Sequence, residues 1–146
     1  MRFIVGSDDA VPVLERIAEL LREHGHEVIA VVVKPWGEVA LEVAHAVAAG
    51  SADQGIVMCW TGTGVSMAAS KVAGVRAALC VDAATAAGAR KWNDANVLAL
   101  SLRLLSEPIA VEILEAWLDA SYGGTEGESL ERLRRQERKQ GQESPG

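Results

Sequence analysis

The chain has 146 residues, 49% hydrophobic and 23% charged, with a formal net charge of −6. That length suits one domain with a real core, and the composition lies outside the ranges of disordered chains and of basic nucleic-acid binders. No apolar run approaches the roughly 18 residues of a spanning helix, and the chain starts directly in a strand pattern, so the reading is a cytoplasmic protein with no nucleic-acid or membrane partner.

Residues 2–6 (RFIVG) read as a strand ending at glycine, and 11–24 repeat apolar positions at helical spacing (Val13, Leu14, Ile17, Leu20, Leu21) up to Gly25. Residues 27–33 (EVIAVVV) are β-branched and nearly uninterrupted, as in a strand covered on both faces. After a break at 34–37, a helix covers about 38–49. Residues 55–59 (GIVMC) give a third strand, followed by the loop WTGTGVS and a short helix through about Lys71. A fourth strand spans 75–80, a helix 83–91, a fifth strand 96–100 and a last amphipathic helix 107–120, with Ile109, Ile113, Leu114, Trp117 and Leu118 inward. This alternation predicts a Rossmann-like α/β fold, a three-layer α/β/α sandwich around a doubly wound, five-stranded parallel sheet. The domain occupies residues 1–122, and 123–146 form a charged C-terminal tail, partly helical or disordered.

In such a sheet, ligands gather at the carboxyl ends of the strands. Three segments fall there: GSDDA (6–10), CWTGTGVS (59–66) and VDAATA (81–86). Gly62 and Gly64 let backbone amides converge on an anion where a helix begins, although Gly-x-Gly also makes a plain tight turn. Thr61 and Ser66 add hydroxyls. Cys59 closes the strand beside them, as either a small core residue or a thiol able to move a proton. Cys59 and Cys80 lack CxxC or histidine spacing, so both read as free thiols, and His24, His26 and His45 read as structural or solvated, with no metal site.

The segments GSDDA (6–10), GHEV (25–28), CWTGTGVSMAASK (59–71), GVRAALC (74–80) and KWNDANVLAL (91–100) carry a resemblance. In order and spacing they resemble the GSDHAG, GHEV, CGTGxGxSIAANK, GIRAALC and EHNDANVLAL of the ribose-5-phosphate isomerase type B / galactose-6-phosphate isomerase family. The match spans residues 1–120 or so. It implies an aldose–ketose isomerase that works through an enediolate without a cofactor. Cys59 would be its base, and Thr61, Gly62, Gly64 and Ser66 the cradle for the enediolate oxygens. Asp8 and Asn93 would be polar substrate contacts. The resemblance also implies a homodimer or tetramer in which two subunits build each site.

The departures from the family pattern carry their own chemistry. Asp9 replaces the histidine of GSDHAG, and Trp92 replaces the histidine before Asn93, which resembles the family's ring-opening acid/base. An indole cannot exchange protons as an imidazole does, and a carboxylate repels a phosphate dianion. The arginines of the family's GGRHxxR segment are missing, since Gly123-Gly124 is followed by TEGESLER, and Arg132, Arg134 or Arg135 would compensate only from a shifted helix. Trp36 stands at the tyrosine of the family's Tyr-Pro-Asp and Trp60 at the glycine after the cysteine. Each tryptophan alone reads as core or interface; Trp36, Trp60 and Trp92 together suggest an aromatic wall. The expected function is isomerisation of a sugar or sugar phosphate, with an open-chain or atypical, less polar carbohydrate or hydroxy-carbonyl compound as substrate. The alternative is a non-catalytic ligand-binding homologue, or a subunit pairing with a catalytic partner.

Overall fold

The computed structural model describes residues 1–143. Strands and helices alternate as β1 (Arg2–Ser7), α1 (Pro12–Glu23), β2 (Glu27–Val33), α2 (Trp36–Ala48), β3 (Gln54–Cys59), α3 (Thr63–Ser70), β4 (Ala77–Leu79), α4 (Ala83–Asn93) and β5 (Val97–Ser101). Helices α5 (Glu107–Asp119) and α6 (Gly127–Glu143) follow. The strands form one parallel sheet in the order β2-β1-β3-β5-β4. Burial follows position: central β3 and β5 are buried throughout, whereas the edge strands β2 and β4 are largely half-covered.

The layers follow from the direction of the crossovers. The connections β1 to β2 and β4 to β5 step one way across the sheet, and β2 to β3 and β3 to β4 step the other. Right-handed crossovers therefore put α1 and α4 on one face and α2 and α3 on the opposite one. Phe3, Ile56, Met58 and Leu98 pack with α1, α4 and α5, while Ile4, Val57 and Ala99 pack with α2 and α3. The result is the three-layer α/β/α sandwich around a doubly wound five-stranded sheet that the alternation predicts.

Several boundaries differ from those read off the sequence. Extended Pro35 is the N-cap of α2, so the helix starts at Trp36 and not near 38. Strand β4 keeps only Ala77–Leu79 of the expected 75–80. The Val75 N–H still donates to Val72 O at 3.1 Å in the turn out of α3, and the Arg76 N–H donates to Asn96 Oδ1 at 2.8 Å instead of to the ladder. Helix α4 continues to Asn93 and stops where Asp94 takes a φ of 48°. Ile109 faces outward, 36% exposed, because α5 is capped at Ser106 and Ala110 takes the inward position. Past Gly124, α6 buries Leu130 and accepts the Gly74 N–H on Glu137 Oε1 at 3.2 Å. Residues 144–146 of the expected tail lie outside the described residues.

Two contacts set the spacing of the layers. On one face, the buried Trp117 Nε1 donates to Gln54 Oε1 at 2.8 Å, which ties α5 to the start of β3. On the other, α2 rests on strand positions without side chains. A Cβ on Gly6 would stand 2.5 Å from Val39 Cγ2, and one on Gly55 would run into Val43 Cγ1.

Gly55→Ala is therefore expected to destabilise the fold by about 1–3 kcal/mol through overpacking. Gly37→Ala, in open space on α2, is expected to stabilise it by up to about 1 kcal/mol. Urea unfolding of both variants, at unchanged m-value, checks the opposite signs.

Candidate active site

The chain leaves β1 toward one edge of the sheet and β3 toward the other, which opens a crevice between their carboxyl ends. Asp8 follows β1, and its N–H donates to Met58 O at 3.1 Å, tying this loop to β3. Cys59 is the last residue of β3, in register with Ser101 and 6% exposed. Just beyond it, the Trp60 carbonyl accepts from Ser101 Oγ at 3.1 Å and from the Arg103 N–H at 2.8 Å. Gly62 then takes a φ of 76° at the N-cap of α3. A side chain there would be strained by that φ and would also meet the Leu100 backbone at 2.9 Å.

Asp8, Trp36, Cys59, Trp60, Thr61, Thr63 and Gly64 line an open pocket of about 310 Å³. Thr61 and Thr63 share a hydrogen bond between their hydroxyls at 2.8 Å. Thr63 is the lining residue that the sequence reading passes over, and the repeat Thr-Gly-Thr-Gly was the signal available for it. Trp36, the first residue of α2, lays its six-membered ring on Gly64, where a Cβ would be 2.9 Å from Cε3. Trp60 is fixed by its backbone while its side chain stands 61% exposed.

The other expected site residues do not line this pocket. Asp9 is exposed, and its N–H donates to Ser7 Oγ at 3.2 Å. Gly62 is buried in the turn, and Ser66 sits on α3 with its N–H on Gly62 O at 3.2 Å. Trp92 and Asn93 end α4 around a separate hollow with Leu79 and Gly88. There the Trp92 ring folds back on its own helix, at 2.7 Å from where a Gly88 Cβ would be.

Electrostatics separates the ionisable groups. Burial, and then the neighbouring Asp9 carboxylate, push the Asp8 carboxyl above the usual range. Burial and then Asp82 push the Cys80 thiol up to about 12, so it stays protonated and is no base. The α6 arginines are engaged on their own helix: Arg132 pairs with Glu128, and Arg134, Arg135 and Arg138 converge on Glu131. Among the described residues, no three His, Cys, Asp or Glu side chains gather to hold a metal ion, and no helix is long and apolar enough to cross a membrane.

Residues 3–135 match the family model described as Ribose/Galactose Isomerase. The chain is 38% identical over 137 residues to the D-erythrulose-4-phosphate isomerase of Pectobacterium atrosepticum, across 88% of this chain and 90% of that protein. Its fold is similar to that of Clostridium thermocellum ribose-5-phosphate isomerase B, with a TM-score of 0.90 and 37% identity, covering 96% of this chain and 99% of the other. It is also similar to Mycoplasma genitalium ribose-5-phosphate isomerase B with bound ribulose-5-phosphate, with a TM-score of 0.86 and 34% identity, covering 94% and 96%.

The raised Asp8 pKa carries a stability sign. Below the unfolded-state pKa both states are protonated and nothing is lost. Above the folded-state pKa the partly desolvated charge weighs against the fold. Asp8→Asn is thus expected to raise Tm at neutral pH, with the gain shrinking to nothing below about pH 3. Thermal melts of both proteins across that range check it.

Proposed function

This chain belongs to the ribose/galactose isomerase family and is an aldose–ketose isomerase, and from that premise we propose that its substrate is an open-chain tetrulose phosphate with Cys59 as the base. The observation that carries the proposal is the position of Cys59. It is held at the end of a fully buried strand, in the crevice between β1 and β3, with Asp8 and the two threonine hydroxyls around the same pocket.

The Cys59 thiolate takes a proton from C1 of the ketose, and the electron pair moves through the new C1–C2 double bond onto the carbonyl oxygen. The hydroxyls of Thr61 and Thr63 and the first amides of α3 face the enediolate charge. The hydroxyl proton on O1 then passes to O2. Asp8, whose carboxyl is pushed up by burial, relays it. The Cys59 thiol returns its proton to C2, which leaves the aldose and regenerates the thiolate.

A tetrulose phosphate suits one departure from the family pattern, the loss of the ring-opening histidine at Trp92. Its terminal oxygen is esterified, so a remaining hydroxyl could close on the C2 carbonyl only as a three-membered ring. Such a substrate stays open and needs no ring-opening acid, which fits Trp92 at the histidine position. The near full-length similarity to an erythrulose-phosphate isomerase supports the same choice. We further propose a homodimer in which Trp92 and Asn93, remote from the Cys59 pocket of their own chain, complete the site of the other copy.

¹H NMR in D₂O with D-erythrulose 4-phosphate tests the base. Solvent deuterium is expected to enter the carbon next to the carbonyl. Cys59→Ala should slow this by about 10²–10⁴-fold with the fold intact by circular dichroism, while Cys80→Ala should leave it in place. No exchange by the unmodified protein with this or other ketose phosphates would favour the non-catalytic binding homologue. Full exchange by Cys59→Ala would remove Cys59 from the mechanism.

A further inference from the structure

We infer that Trp36 is a specificity-determining residue that limits the length of carbon chain the Cys59 pocket accepts; this rests on the sugar-phosphate reading of that pocket. Two indoles flank the pocket, but they are held differently. The Trp60 carbonyl is held by Ser101 Oγ and the Arg103 N–H, while the residue stands 61% exposed. Trp36 is half-exposed, but its ring is seated on the Gly64 backbone, which offers no side chain to move aside.

The seat cannot retreat either. Trp36 opens α2, and α2 is held against the sheet by Val39 over Gly6 and Val43 over Gly55. The Val39 N–H closes the first turn on Pro35 O at 3.0 Å. The Trp36 ring therefore forms a wall of the Cys59 pocket and covers Gly64 in the first turn of α3. Its face is apolar and suits the C–H edge of an extended polyol, but it cannot accept a further hydroxymethylene by moving. A tetrulose phosphate ends before the wall, and a pentulose phosphate runs into it.

Calorimetric titration with erythritol 4-phosphate and ribitol 5-phosphate, which bind without reacting, tests this, with kcat/KM for the matching 2-ketoses as a second readout. The unmodified protein is expected to prefer the shorter ligand. Trp36→Ala should move the ratio toward the longer one by roughly tenfold or more, and Trp36→Phe should move it part of the way. Gly64→Ala, whose methyl would meet the ring at 2.9 Å and push it into the pocket, should deepen the preference for the shorter ligand. Those two variants carry the test if Trp36→Ala does not fold. If both phosphates bind and none of these substitutions moves the ratio, or if the unmodified protein prefers the longer ligand, Trp36 is not the limit and the isomerase reading stands. If neither phosphate binds and no ketose exchanges, the isomerase reading fails and this inference falls with it.

Discussion

Helix α2 reaches the sheet where it does because two central strands offer it bare backbone. Val39 lies over Gly6 of β1 and Val43 over Gly55 of β3, so the helix axis sits a side chain closer than it could over alanine. The rest of the site depends on that depth. It lets α2 begin directly at the carboxyl end of β2 and brings its first residue, Trp36, onto Gly64. It also sets where α3 lies, since α2 and α3 share one core with Val57 and Ala99 beneath them. Opposite, the Trp117–Gln54 bond ties α5 to the start of the same strand that ends in Cys59. Strand β3 is thus clamped from both faces at its start, and the sulfur sits at its opposite end.

Much of the fold was legible in the sequence because the period of apolar residues changes where the structure changes. Residues 28–33 and 56–59 are uninterrupted apolar runs and lie in strands, and Leu14, Ile17 and Leu21 mark the buried face of α1. The misreadings have local causes. Strand β4 is shorter than its apolar run because the Asn96 side chain takes the Arg76 amide, a pairing that no local pattern announces. The early start of α2 depends on Pro35 as a cap, and proline before a helix reads equally well as part of a loop. For α6, charge patterning suggested a solvated, partly helical tail, and the described part is a helix exposed along most of its length. What draws it onto the domain is one buried leucine, Leu130, and the contact of Glu137 with Gly74, too sparse to stand out in a charged stretch.

The site was legible where its residues lie next to one another in the chain. Asp8, Cys59, Thr61 and Gly64 come from two strand-end loops, and the switch in crossover direction between β1 and β3 brings those loops together. The role of Trp36 was visible only as an unusual residue at a suggestive position. Its contact with Gly64 joins residues far apart in sequence and depends on how deep α2 sits. Trp92 looks from sequence like a third panel of the same wall. Within one chain its ring lies along α4 on Gly88, one turn earlier, outside the Cys59 pocket.

The placement of Cys59 divides the molecule by how readily its parts open. Amides of a central strand buried along its whole length exchange with solvent only when the domain unfolds, whereas a helix's first turn and an exposed loop open far more often. The sulfur therefore belongs to a slow-opening segment, while Trp60 sits in an exposed loop just beyond it. A lineage carrying this architecture can exchange one wall residue for another while the Cys59 sulfur keeps its place.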